Sequence, residues 1–464
     1  MTKQKMSLLT KNMLTNSFGT VLLKSIPLIT TPIISILLSP AEYGTVSIFL
    51  TWLALAGVFV GIQVNGSLQN ALKEYGEQEY KKYCSSVLSM ALLSFFAFFI
   101  PVAILCEQLS KLLNLDKLIV LLLIPCCFGS FCISFFSSYL LSLKLAKKNL
   151  FLTFFSTVIV ATASLVCAKL IKPNYVGYVL GYSIPYIIIG LALFFIFVLK
   201  NRCFFSKQYW RFCLIFSLPL IFHMLSNTIL SQSDKLMIQY IKNDTEGVGI
   251  YNMMHTISSV VNSLWGAMNS AFVPFYYDYL TEKNHEKLNK RTKNYAFVFT
   301  CITLGFMLVS PELTGFLINA QYLAGVNLLP VMILSNYFVF LYSFSVNFEF
   351  YNGKTIWIAI GTIMSAIINI ILNYFLLLKL GIIGVAIATA ISYFVLFIFH
   401  EIISRKVIKN YPITFNFSAI CMIIALIIFA LTYLLFNIIW ARWIIFVLIV
   451  FMFFYKIIKT KTII

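Results

Sequence analysis

Apolar runs of about 20 residues recur along the whole chain, separated by short polar connections. An α-helix rises 1.5 Å per residue, so roughly 20 residues cross the ~30 Å hydrocarbon core of a bilayer. The runs predict fourteen spans, centred near residues 26, 57, 95, 128, 160, 187, 227, 262, 303, 339, 367, 392, 428 and 450. Their continuity separates them from the alternating ~10-residue segments of outer-membrane barrels. The pattern predicts an all-α polytopic membrane protein with about 14 transmembrane helices.

Polar positions inside the runs are spaced, not scattered. In the seventh span, His223, Asn227, Ser231 and Asp234 follow one another at steps of 4, 4 and 3, which places all four on one helical face. An ionisable group at mid-membrane costs about 2.5–3.5 kcal/mol on insertion scales, so such a face normally meets a bundle or a wet cavity. A solvated passage beside this helix is expected; the alternative is that Asp234 and Lys235 lie near the outer end and snorkel to the headgroups. The first span, Asn12 to Leu38, carries Asn16, Thr20, Lys24, Pro27 and Thr31 on one face, and Pro27 and Pro32 are expected to bend it. Lys24 lies one turn before Pro27 and is expected to face the cavity, unless it snorkels to the cytoplasmic interface.

The eighth span bears Asn252, His255, Ser259, Asn262, Gly266 and Asn269, a face that suits either a cavity wall or a packing seam with interhelical hydrogen bonds. Span 10 has Asn336, Ser343 and Asn347, and span 11 has Thr362, Ser365, Asn369 and Asn373. The basic link from Tyr277 to Lys293 is expected to be an interfacial helix. The last two spans lack such stripes, carry Trp440 and Trp443 as interfacial aromatics, and look like an appendage.

The halves echo each other. Ser25-Ile26-Pro27-Leu28-Ile29 is repeated as Ser217-Leu218-Pro219-Leu220-Ile221, Gly44 has its counterpart in Gly249, and Val176-Gly177 in Ile383-Gly384, at offsets of 192, 205 and 207. Two six-span repeats are expected, and because six is even they run parallel, with substrate between them. The expected division is residues 1–200 as an N-terminal lobe, 201–211 as an inner linker and hinge, 212–403 as a C-terminal lobe, and 404–464 as two extra spans.

With 61% apolar and 11% charged residues and a mean hydropathy of +0.93, no water-soluble core of this size is implied. The net charge of +19 would suggest nucleic acid, but 25 of the 34 basic residues fall in the tails and on alternate connections. That asymmetry is the positive-inside rule with both termini cytoplasmic, and it makes nucleic-acid binding unnecessary. The first span follows a basic tail, but it is too long for a signal peptide and no A-x-A-like site closes it, so it is expected to stay attached. The ten cysteines lie mostly within spans, with no CxxC pair, and are expected to be buried apolar residues rather than disulfides or metal ligands. There is no D-x-D motif and no large outer loop, so neither a glycosyltransferase nor any enzyme or cofactor chemistry is expected.

Ser25-Ile26-Pro27-Leu28-Ile29, Ser39-Pro40-Ala41-Glu42-Tyr43-Gly44, Ser233-Asp234-Lys235 and Gly247-Val248-Gly249-Ile250-Tyr251 together resemble the Wzx-type flippases of polysaccharide or O-antigen repeat units. These belong to the multidrug/oligosaccharidyl-lipid/polysaccharide exporter superfamily, and the likeness covers essentially the whole chain. The resemblance implies a V-shaped pair of six-helix lobes that opens alternately inward and outward. It implies transfer of undecaprenyl-pyrophosphate-linked oligosaccharide to the outer leaflet of a bacterial inner membrane. Such relatives use cationic residues in a central cavity, and Lys24 is the matching position here, although this chain has few arginines within its spans.

The chemistry of the stripes points the same way. A pyrophosphate-linked glycan needs a cation and a wall of amides and hydroxyls, which Lys24, Asn16, Thr20, Thr31, His223, Asn227, Asn252, His255 and Asn262 supply. Asp234 with Lys235 is the candidate coupling pair, for a proton or a sodium ion. The expected partners are the lipid-linked oligosaccharide, the membrane and the polysaccharide polymerase machinery. A multidrug antiporter would share the architecture but would use acidic cavity residues, of which only Asp234 and Glu349 are candidates. A non-transport scaffold leaves the stripes unexplained.

Overall fold

The computed structural model describes residues 8–460, and among them no strand occurs. The chain forms two compact units, Met1–Leu236 and Met237–Ile464. The first contains α1 (Leu8–Leu37), α2 (Pro40–Val60), α3 (Leu68–Ile104), α4 (Cys106–Leu113), α5 (Lys117–Ser142), α6 (Ala146–Leu170), α7 (Asn174–Asn201) and most of α8 (Lys207–Lys242). The second contains α9 (Thr245–Thr281), α10 (His285–Leu317), α11 (Leu329–Tyr351), α12 (Thr355–Leu380), α13 (Ile382–Ile402), α14 (Phe415–Leu434) and α15 (Ile439–Thr460). Each predicted span centre falls in a different helix; only α4, a short amphipathic helix, was not expected.

Among the described residues, 12 helical segments are long and apolar enough to cross a membrane. The protein is a multi-pass membrane protein. α9 is not among the twelve, because Asn252, His255, Asn262 and Asn269 interrupt its apolar run. The described apolar part of α1, Ile26–Leu37, is shorter than a span.

Packing repeats from one unit to the next. In the first, α2 packs on α5, α5 on α7 and α6 on α7; in the second, α9 packs on α11, α11 on α13 and α12 on α13. In span numbers these are the same three pairings, as two parallel six-helix repeats require. The paired glycines do the same work in each unit. A Cβ on Gly177 would lie 2.3 Å from the Cys167 carbonyl oxygen, and one on Gly384 would lie 2.2 Å from that of Leu376. Both positions let a helix start against the backbone of the helix before it. The second span of each unit also begins alike. Glu42 N–H donates to Ser39 Oγ at 3.3 Å with Glu42 Oε2 accepting from Ser39 N–H, and Gly247 N–H donates to Asp244 Oδ1 at 2.7 Å.

The division between units falls inside α8. The first turns of that helix are tied to the first unit, through Trp210 Nε1 to the Ser86 carbonyl at 3.0 Å and Tyr209 Oη to Glu79 at 3.4 Å. No separate interfacial helix covers 277–293: α9 runs on to Thr281, a turn follows, and α10 starts at His285, with Asn284 Oδ1 accepting from Lys287 N–H. A polar cap suffices to stop one long helix and start the next without a lateral excursion. All ten cysteines are free thiols, six of them buried.

The final two helices are fastened more firmly than an appendage would be. Arg442, 1% exposed at the start of α15, pairs with Glu312 of α10 and donates to the carbonyls of Leu308, Leu435 and Phe436. Its charge is enclosed by the turn that joins α14 to α15.

Candidate functional site

The predicted polar stripes separate into two kinds: those used up between helices and those left open. The α11 stripe faces α9, which meets it through Asn269 of its own stripe and through Ser258 and Trp265 outside that stripe. Asn336 Nδ2 donates to the Ser258 carbonyl at 3.1 Å, Trp265 Nε1 to Ser343 Oγ at 3.2 Å, and Asn347 Nδ2 to Asn269 Oδ1 at 3.1 Å. The three pairs keep one register along the two helices, so these residues form a seam. On α12, Ser365 Oγ donates to the Ser392 carbonyl at 3.0 Å and Asn369 Nδ2 to Thr389 Oγ1 at 3.2 Å, closing a second seam against α13, while within α12 Asn373 Nδ2 donates to Asn369 Oδ1 at 3.0 Å. Such bonds replace water where none is available, and they fix helix rotation.

Other predicted residues remain accessible. On α8, His223, Asn227 and Ser231 are exposed while Asp234 and Lys235 are buried. Ser231 Oγ donates to the Thr228 carbonyl at 3.2 Å, but His223 and Asn227 have no side-chain partner among the described residues. On α9, Asn262 is half-buried and likewise without a partner among the described residues, whereas Asn252 is buried. His255 is half-buried, its ring stacked 6.4 Å from that of Tyr251. Lys235 is 7% exposed, and its Nζ donates to Gln232 Oε1 at 2.9 Å.

In α1, Thr31 is buried, and its hydroxyl donates to the Pro27 carbonyl at 2.6 Å, within a helix that runs on through both prolines. The side chains of Asn16, Thr20 and Lys24 lie outside the described residues.

A charged cluster that the stripes did not announce lies at the end of α11 and α13. His400 Nδ1 sits 2.8 and 3.0 Å from the two oxygens of Glu349, and both residues are buried. Beside them, Glu401 accepts from Arg405 at 2.6 and 2.8 Å and from the hydroxyls of Ser345 and Ser418. Arg405 stands 4.9 Å over the Tyr411 ring. The cluster is carried by the wide turn Ile403–Ile408 that follows α13, and it ties α11, α13 and α14 together. The sequence signal was partial: Glu401 and Arg405 are an i,i+4 pair, but Glu349 and His400 meet only through the fold.

Fold and polar faces together define an all-helical, multi-pass membrane protein built from two repeated units. Over 97% of this chain and 99% of the other, it superposes on the lipid II flippase MurJ in an inward closed conformation, with a TM-score of 0.71 at 16% identity. An inward-facing multidrug resistance MATE family transporter of the MOP superfamily gives a TM-score of 0.59 at 15% identity, over 85% and 97% of the two chains. Residues 9–280 match the family described as polysaccharide biosynthesis protein, and the chain belongs to that family. It is also similar to an uncharacterized membrane protein of Haemophilus influenzae, 22% identical over 357 residues, covering 74% of this chain and 84% of that one. Lsg locus putative protein 1 of the same organism is 27% identical over 188 residues, a match spanning 46% of its length.

Proposed function

We propose that this protein is a flippase that carries undecaprenyl-pyrophosphate-linked oligosaccharide repeat units from the inner to the outer leaflet of a bacterial cytoplasmic membrane by alternating access. The product would feed O-antigen or capsule synthesis, and both termini would be cytoplasmic. The observation that carries this reading is the open polar face of α8, His223 with Asn227, on a helix long and apolar enough to span a bilayer. An amide facing hydrocarbon without a partner costs roughly 2–7 kcal/mol, so the face belongs against water or a polar solute. Membership of the polysaccharide biosynthesis family supports a glycan as that solute.

In this proposal Lys24 attracts the pyrophosphate, and Asn227 and Asn262 contact sugar. Asn252, grouped with them by its spacing, is buried and is not assigned a contact. Asp234, beside Lys235, is the proposed coupling group for a proton or sodium ion; an unchanged response to an imposed ion gradient in Asp234→Asn vesicles would remove it from that role. A multidrug antiporter of the same fold would need an open carboxylate for organic cations. Of the two candidates, Asp234 is buried and Glu349 is enclosed by His400, which favours the anionic glycolipid. In cells, Lys24→Ala should abolish surface polysaccharide while membrane insertion is retained; normal polymer from a normally inserted variant would overturn the assignment.

A further inference from the structure

Between α2 and α3 the chain leaves the helical path in a stretch that contains no proline. Ile62 and Gln63 take φ values of 45° and 49°. This left-handed conformation is unfavourable for residues with a Cβ, and more so for a β-branched one. A single 3₁₀ turn, Val64–Ser67, follows before α3 begins. Strain of this kind persists only where the surroundings hold it, and its usual setting is a functional site.

The break places Gln63 and Asn65 on one wall of a cavity of about 310 Å3, whose other wall is the part of α5 that bears Ser130, Phe131 and Ser134. Asn65 Nδ2 donates to Ser134 Oγ at 3.0 Å, while its Oδ1 is buried and without a partner. Gln63 is held at both ends: its Nε2 donates to the Val58 carbonyl at 3.2 Å, and its own carbonyl accepts from Ser217 Oγ at 3.3 Å. Gly61 allows the Phe131 ring to close against the break, since a Cβ there would lie 2.2 Å from it. At Gly57, a Cβ would meet nothing within 4 Å, so the cavity has free space along α2.

The lining contains no charged side chain among the described residues. A pyrophosphate or an organic cation would find no counter-charge there. A neutral ring bearing hydroxyls fits better, because the amides and serines of the lining supply both donors and acceptors. We infer that the break between α2 and α3 is a subsite for a neutral sugar ring, bound through Gln63, Asn65, Ser130 and Ser134 with Phe131 as its apolar floor. The inference rests on the glycolipid reading above and adds to it the place where saccharide, rather than pyrophosphate, is held.

The test uses the full chain in nanodiscs and two probes measured by native mass spectrometry: undecaprenyl pyrophosphate bearing a tri-N-acetylglucosamine, and the same lipid without sugar. The wild type should prefer the glycosylated lipid by about tenfold, the scale of one or two hydrogen bonds to the sugar. Asn65→Ala, the milder Ser134→Ala, and Gly57→Leu, which fills the free space, should each lower affinity for the glycosylated lipid alone, with melting temperature unchanged. No preference in the wild type, preference kept in all three variants, or equal loss of both lipids would overturn the subsite. Failure of the wild type to bind either lipid would instead sink the glycolipid reading itself, and the subsite with it.

Discussion

Replacing Arg442 with alanine tests how the last two helices are attached. Its guanidinium has five N–H donors, and all five are used: Nε to the Leu435 carbonyl at 3.2 Å, Nη1 to the Leu308 carbonyl at 2.8 Å and to Glu312 at 3.1 Å, and Nη2 to Glu312 and to the Phe436 carbonyl at 3.0 Å. Removing one partner of a buried ion pair costs about 3–5 kcal/mol, mostly because the other charge is left enclosed and unpaired. Glu312 is 15% exposed, so water can recover part of its solvation, and the lower end, about 3 kcal/mol, is expected. Lysine keeps the charge but not the fork, so Arg442→Lys should recover less than half of that loss. Unfolding in mixed micelles of rising denaturing-detergent content, followed by tryptophan fluorescence with Trp440 and Trp443 beside the site, measures both variants. If Arg442→Ala unfolds within about 0.5 kcal/mol of wild type, or if lysine substitutes fully, the account of this anchor is wrong.

Other consequences follow from the packing. Gly177→Ala and Gly384→Ala should each destabilise by about 1–3 kcal/mol, since the new methyl meets a backbone oxygen that cannot yield, whereas Gly315→Ala, whose Cβ would meet nothing, should not; equal melting points for all three would refute the close crossings. Glu349→Gln and His400→Ala should each cost about 1–3 kcal/mol, the scale of a buried hydrogen bond left unmade, and be strongly non-additive in a double-mutant cycle, and additive losses would mean the pair does not act as one unit. Asn347→Ala should lower stability by about 1–2 kcal/mol through the seam, while Asn262→Ala should spare stability and slow transport; the reverse pattern would exchange their roles.

Hydrophobic length placed each of the fourteen predicted centres in its own helix, although among the described residues only twelve helical segments are long and apolar enough to cross a membrane. The repeat was legible through glycines whose crossings leave no room for a side chain. What a single helical period could not tell was which stripes pair with which: Asn336, Ser343 and Asn347 acquire meaning only when α9 lies alongside α11 in register. Asn262 and Asn227 share the spacing of their neighbours yet are left without partners among the described residues, a distinction that belongs to tertiary structure. The Glu349–His400 pair was hidden because its members lie on different helices. The break at Ile62 and Gln63 carries no proline to announce it; Gly57, Gly61 and Gly66, interleaved with Gln63 and Asn65, were the available signal.

The most direct test of the central claim is lipid-linked oligosaccharide movement across proteoliposomes, read as the rate at which substrate in the inner leaflet becomes accessible to an external glycosidase. Wild-type protein should speed this at least about tenfold over protein-free vesicles, equivalent to 1.4 kcal/mol of barrier, with Lys24→Ala and Asn227→Ala returning most of the way to the empty-vesicle rate. A wild-type rate no faster than that of empty vesicles would contradict the account.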